Sequence, residues 1–444
     1  MNRLFRFRAR HFSVELLMLA AGLMFAWHML TYIPAGDMRM AFAYWWEGVV
    51  ARSGVVLVAS APMAALGGAV AGARLRSGGI QRYFGPRTRF GIAWNALWPT
   101  LMVAAIIQIF AFVYYYLYAG QPTGRPNLLI FVAYVAVIAF HMLFGFYLGL
   151  KVNWLVAVPV ALLLSFQMLS QSAATEDFSL RYISGYFLYS CCAIYEVMAP
   201  WAIWPALIFN VGGTLVFLIA CLIELKVASF TLRVVTLLLI PVTLTGLFFG
   251  AKGAAVDAQT FPAIQRPGII CFRSEPEVCL YPNQDAKRYV VNTVVKTWQI
   301  VHDVIPDIPK RIAFTGFAYN PPEIPLVIYP DTGKGHVIWG FLQNTLSPVG
   351  TLENPPLSCK TETMEEFEEA NVSRSTLVSF LLRRILPKFP NVEMPNRDLP
   401  TGFDEILRGR LKIIDSMSPA DQKKWAIAAY RANKFCKPLP KVVN

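Results

Sequence analysis

The sequence predicts an α-helical polytopic membrane domain of about seven spans, followed by a C-terminal soluble α+β domain. Two observations lead there. Seven long apolar runs crowd into the first 250 residues, and most charged residues fall in the remainder. Residues 1–250 carry 16 Lys+Arg and 7 Asp+Glu, whereas residues 251–444 carry 24 and 20. Overall 56% of residues are hydrophobic and 15% are charged, against roughly a quarter charged in ordinary soluble domains. The expected division is a transmembrane domain over 1–250, a linker over 251–268 and an extracytoplasmic α+β domain over 269–444.

A membrane-crossing helix needs roughly 20 mainly apolar residues to pass a hydrocarbon core of about 30 Å. Such runs lie at Ser13–Ile33, Gly54–Ala73, Ala93–Tyr118, Leu128–Gly149, Asn153–Gln171, Trp201–Ile223 and Ala228–Gly250. The first is too long for the apolar core of a cleaved signal peptide and is read as a retained span. Trp45 and Trp46 are expected in an aromatic belt at the outer interface.

Orientation follows from cations in the short loops, which favour the cytoplasmic side. With the N-terminus inside, the inner segments hold Arg3, Arg6, Arg8, Arg10, Arg74, Arg76, Arg82, Arg87, Arg89, Lys151, Lys226 and Arg233. The outer loops hold only Arg39, Arg52, Arg125 and Arg181. The stretch "VAGARLRSGGIQRYFGPRTRF", with five arginines and no acid, therefore faces the cytoplasm, where anionic headgroups or an acidic partner can meet it. Such loops account for the basic pI of about 9.4; no nucleic-acid partner is inferred from it.

The segment Phe178–Pro200 is apolar but interrupted by Arg181, Gly185 and Glu196. It is either an eighth span, which would put the C-terminal half in the cytoplasm, or one or two short helices dipping into the outer leaflet.

In the C-terminal half, "IICF", "VCLYP", "RIAFTGF" and "IPLVIYP" read as short strands. "DAKRYVVNTVVKTWQIVHDVI" and "EEFEEANVSRSTLVSFLLRRIL" have helical spacing. "SPADQKKWAIAAYRANKFC" reads as a helix with Ser418 as N-cap and Pro419 at its first position. Cys191, Cys192 and Cys221 fall in the membrane half. Cys271, Cys279, Cys359 and Cys436 fall in the C-terminal half, an even number that suits disulfides in an oxidising compartment. Cys271–Cys279 closes the shortest loop, which leaves Cys359–Cys436. A zinc site would call for closely spaced pairs such as Cys-x-x-Cys, and the sequence has none.

Motifs for catalysis are missing from the sequence. There is no G-x-x-x-x-G-K-[ST], no H-E-x-x-H and no G-x-S-x-G. "TGKGH" at Thr332–His336 reads as a turn, "ETMEEFEEA" as a solvated helix face and His302 as a helix-surface or core residue. Asn371 formally matches a glycosylation sequon. No catalytic residue, cofactor or metal is assigned. Within the spans, Glu15, His28, Asn95, Gln108, His141, Asn153, Gln167 and Asn210 are polar. They read as interhelical hydrogen-bonding groups in preference to pathway residues, because no relay spacing joins them.

"AALGGAVAGARLRSGGIQRYFGPRTRFGIAWNALWPTL" resembles the joint between the second and third spans of permease-like subunits of bacterial ABC exporters. The pieces "EVCLYPNQ", "LSCK" and "MSPADQKKWAIAAYRANKFC" resemble an extracytoplasmic domain of unknown function found on actinobacterial permease-like proteins. The resemblance implies six spans with the N-terminus inside, short dipping helices before the last span at Phe178–Pro200, and an ATPase contact at Arg74, Arg76, Arg82, Arg87 and Arg89. The seventh run, Ala228–Gly250, departs from that pattern and would carry the C-terminal domain outside.

The expected function is that of a permease-like subunit in the bacterial cytoplasmic membrane. It would work with a cytoplasmic ABC ATPase and a second membrane subunit, identical or different, to export or extract a hydrophobic or peptide-like compound. The alternatives are a membrane-anchored extracytoplasmic binding or immunity protein, and a cell-envelope enzyme with its site in the outer domain.

Overall fold

The computed structural model describes residues 2–32, 45–80, 88–119, 122, 124–225, 229–255, 262–272, 274–281, 288–314, 324–326, 333–346, 364–392 and 403–434. The chain divides into two compact units, Met1–Arg266 and Pro267–Asn444.

The first unit is a helical membrane domain. Its long helices are α1 (Asn2–Tyr32), α2 (Trp46–Ser53) continued through a 3₁₀ turn at Gly54–Val56 into α3 (Leu57–Ser77), α4 (Arg89–Ala119), α5 (Leu128–Lys151), α6 (Trp154–Ala174), α8 (Pro200–Leu225) and α9 (Phe230–Ala254). Between α6 and α8 lie the short helix α7 (Phe178–Ile183) and strand β1 (Glu196–Met198). Seven of these helical stretches are long and apolar enough to cross a membrane, with α2 and α3 counted as one. The second stretch is longer than the run Gly54–Ala73 because the helix continues back to Trp46. Arg52, expected in an outer loop, consequently lies on α2.

Helix starts follow local chemistry. Asn127, Asn153 and Ser229 each accept a hydrogen bond from a backbone N–H of the turn they precede, at Leu129, Leu155 and Leu232. These caps satisfy donors that a helix cannot pair internally.

The centre of the bundle is the crossing of α3 and α5, where backbones touch. A methyl group placed on Gly145 would lie 1.9 Å from the carbonyl oxygen of Ala65, and one on Gly72 would lie 2.3 Å from that of Phe146. Gly68-x-x-x-Gly72 on one helix therefore faces Gly145-x-x-x-Gly149 on the other, the small-residue pattern that allows close helix approach in membranes. Ala65 and Ala69 also pack with Ala157 and Ala161 of α6. The Trp46–Ser77 stretch is 83% buried, whereas Thr231–Ala254 is 17% buried. The first is thus a core helix. The second presents Leu237, Leu238, Leu239 and Val242 outward, the surface a bilayer would cover.

The segment Phe178–Pro200 is not an eighth span. It folds as six-residue α7, a 3₁₀ turn at Tyr186–Ser190, an irregular stretch through Cys191 and Cys192, and β1. Tyr182, Leu188, Cys191 and Cys192 are fully buried. Arg181 prevents a continuous span by folding back: its Nε donates to Thr175 O at 2.7 Å, and its guanidinium covers Phe178. Gly185 takes a left-handed φ of 75°, which turns the chain after α7.

Among the described residues of the expected linker, both ends carry secondary structure. α9 runs to Ala254, and β2 (Ala263–Gln265) pairs antiparallel with β1 in the register Glu196↔Gln265. Residues to Arg266 thus belong to the first unit, because the edge of β1 recruits them.

The second unit contains β3 (Ile270–Phe272), β4 (Glu277–Leu280), β5 (Arg311–Ala313) and β6 (Ile324–Pro325), in the order β3-β4-β5-β6. The first pair is antiparallel and the next two are parallel. Its helices are α10 (Arg288–Val304), α11 (Lys334–Leu346), α12 (Met364–Ile385), α13 (Phe403–Ser416) and α14 (Pro419–Lys434). Val294, Trp298, Ile312, Phe341, Leu381 and Trp425 share one core. Ser418 caps α14 as expected, its Oγ accepting from Asp421 N at 3.2 Å. "TGKGH" is not only a turn: Lys334 opens α11, because Val337, Ile338 and Phe341 give the following residues a buried helical face. His302 stacks on Trp298 with ring centroids 4.4 Å apart.

Candidate functional site

Two polar clusters stand at opposite ends of the helical unit. One end gathers the last turns of α3, α5 and α8 with the first turns of α4 and α6; it is called the basic end here. Three of the five arginines expected to form a docking surface are engaged there within the chain. Arg76 Nη1 donates to the carbonyl of Lys151, the last residue of α5, at 2.8 Å. Arg89 Nη1 donates to the carbonyl of Leu225, the last residue of α8, at 3.0 Å. Arg74 lies 3.8 Å from Glu15 of α1. The physical reason is the unpaired carbonyls and negative dipole at a helix C-terminus, which attract cations. Arg82 and Arg87 lie outside the described residues.

At the same end Glu224 is 2% exposed. Lys151 Nζ lies 2.6 Å from its Oε1, and Arg233 Nε lies 4.0 Å from its Oε2. The two ion pairs join α5, α8 and α9. An acid in this position compensates cations that the orientation argument had treated only as topology markers.

At the opposite end, Glu47 is buried in the first turn of α2. Its Oε1 accepts from Met198 N and from Asn127 Nδ2, each at 2.9 Å. Trp45 is not part of a lipid-facing belt. It is buried, its indole N–H donates to Glu196 O at 3.1 Å, and Arg266 stacks on its ring at 3.8 Å. Trp46 stacks on Tyr116 and Phe112. For Trp45 the irregular segment offers a backbone partner that lipid does not.

The Arg52 side chain lies within electrostatic reach of Tyr115, Glu196, Tyr189 and Tyr195. Its Nε is buried and has no hydrogen-bond partner among the described residues. Glu196 Oε2 accepts from Ala193 N at 2.7 Å. Burial raises the Glu196 carboxyl above the usual carboxylate range, although the Ala193 N–H and Arg52 act in the opposite direction. A cation on α2 therefore lies within electrostatic reach of a carboxylate and two tyrosines of the irregular segment and of Tyr115 on α4.

Of the eight polar residues named within the spans, Glu15, Gln108, His141 and Asn210 join elements, whereas Asn153 caps its own helix and His28, Asn95 and Gln167 are exposed. Gln108 donates to Ser53 O at 2.8 Å, His141 Nδ1 shares a 2.8 Å hydrogen bond with Ser165 Oγ, and Asn210 donates to Ile183 O at 3.0 Å. Asn210 thus holds the irregular segment onto α8.

The cysteines form two pairs at disulfide distance. Cys271 and Cys279 face each other across β3 and β4, and adjacent Cys191 and Cys192 form the second pair. Cys221 is free and buried. Cys359 and Cys436 lie outside the described residues. The second pair was missed because a run of apolar neighbours disguised it as span sequence. Ligand atoms of Cys271, Glu277 and Cys279 lie within 4.8 Å of one another. With the two sulfurs joined, only the Glu277 carboxylate remains, which does not make a metal site.

No protein family, no curated protein and no solved structure matches this chain.

Proposed function

We propose that the chain is a permease-like membrane subunit that moves a hydrophobic or peptide-like compound with a separate ATPase and a second membrane subunit. The observation that carries this reading is the broken segment Phe178–Ala199, packed inside the helical unit between α6 and α8. Irregular backbone in a membrane domain is tolerated where protein buries it or where it lines a path, and transporters use such interruptions at their substrate sites. Arg52 on α2 and Glu196 within that segment place ionisable groups where only apolar contacts would suffice for anchoring. The sequence carries no phosphate-cradling loop, so ATP would be hydrolysed on the partner.

In this reading the basic end is cytoplasmic and the second unit is extracytoplasmic. Arg76 and Arg89 brace helix ends and Arg74 faces Glu15, so the contact with the ATPase rests on Arg82 and Arg87. The test is copurification of the full chain in mild detergent, with identification of what accompanies it. An ATPase is expected with the wild type and reduced with Arg82→Ala/Arg87→Ala, more so as salt rises. Absence of any ATPase, or full recovery with the double variant, overturns the reading. A reporter active only in the cytoplasm, fused after Asn444, should be silent.

A further inference from the structure

We propose that a crevice at the basic end, between α1, α3 and α6, seats an anionic glycerophospholipid. The crevice has a volume of about 830 Å³, in the range of small-molecule sites. Its walls divide by chemistry. Val14, Leu66, Val70 and Val158 make an apolar floor, while Arg74, Arg76, Ser77 and Asn153 bring polar atoms to it. An amphiphile with an acidic head and hydrocarbon chains matches that division; a soluble anion would leave the floor uncovered.

Three further features favour a lipid. The flanking surface is apolar and open: Leu17 on α1 is 73% exposed and Leu155 on α6 is 62% exposed, as expected of a face toward hydrocarbon. Trp154, at the first turn of α6, lines the crevice and is 61% exposed, the placement of an interfacial aromatic anchor. The guanidinium groups of Arg74 and Arg76 bring positive charge to the crevice, where Glu15 stands 3.8 Å from Arg74. Arg76 uses one N–H on Lys151 O, and a guanidinium has five. Basic pockets between transmembrane helices bind anionic headgroups for this reason.

The test is native mass spectrometry of the full-length protein released from detergent. It is titrated with phosphatidylglycerol and with phosphatidylcholine carrying the same chains, in the presence and absence of inorganic phosphate. Two cations near the surface should favour phosphatidylglycerol by about 30-fold. Arg74→Gln/Arg76→Gln should bring the two lipids level. Val70→Phe and Val158→Phe keep both charges but fill the floor from either side, and should abolish the retained lipid. These two variants decide the matter even if the arginine variant fails to fold. Equal retention of both lipids by the wild type, or an undiminished preference in the filled variants, overturns the proposal. Displacement by millimolar inorganic phosphate would also overturn it, leaving a site for small anions alone.

Discussion

Glu47 Oε1 accepts a hydrogen bond from the backbone N–H of Met198, 151 residues further along the chain, at 2.9 Å. The same oxygen accepts from Asn127 Nδ2. One buried carboxylate therefore ties the start of the second span to the fifth helix and to strand β1. This arrangement holds the broken segment against the long helices.

Glu47→Ala should lower stability by about 2–4 kcal/mol, because it strands a buried backbone donor as well as removing a charged acceptor. Glu47→Gln keeps an acceptor and should cost less than half as much. Thermal unfolding in detergent measures both. Limited proteolysis near residues 178–199 should be faster in the alanine variant only. Equal protection would mean that Glu47 does not hold the segment.

The α3–α5 crossing makes a second prediction. Gly145→Ala would place a methyl group 1.9 Å from Ala65 O. Overpacking against backbone that cannot yield should cost about 1–3 kcal/mol or more. Gly246→Ala on α9 meets nothing within 4 Å and should be neutral or stabilising by up to about 1 kcal/mol. Comparing the two unfolding midpoints checks the claim that α3 is central and α9 peripheral.

For the Glu224 cluster, Lys151→Met leaves a carboxylate that is 2% exposed without its nearest cation. Loss of about 3–5 kcal/mol is expected, as for other buried pairs broken on one side. Adding Glu224→Gln should recover most of it, since Arg233 is partly exposed and can reach water. A double-mutant cycle measures this coupling. Additive losses would show that the pair contributes nothing specific.

Glu196 sets a pH dependence. Its carboxyl is raised by burial, so the folded state binds the proton more tightly than the unfolded chain. Its contribution is most favourable below the unfolded value of about 4.3. That contribution falls as pH rises through the raised folded value, and is level above it. Glu196→Gln cannot titrate there and should flatten this decline. Unfolding midpoints of both proteins, taken from about pH 4 to about pH 8, give the comparison. Parallel profiles would show that Glu196 does not titrate in that window.

Much of the first unit was legible in the sequence because span length and apolar composition are local properties. Seven runs of about 20 residues needed no knowledge of their neighbours. The cap at Ser418 is equally local. So is the pairing of Cys271 with Cys279, whose eight-residue separation suits two adjacent antiparallel strands. Gly68–Gly72 and Gly145–Gly149 have GxxxG spacing, but only the packing shows that one pair faces the other. Only the tertiary structure decided that Phe178–Pro200 is broken and buried, because its hydropathy suits either state and the outcome depends on Asn210 and Glu47 reaching it from other helices and on Arg181 turning back to Thr175. It also decided what the arginines do. Charge bias placed Arg74, Arg76 and Arg89 at one end of the bundle, but the unpaired carbonyls of Lys151 and Leu225, brought there by packing, gave two of them their partners.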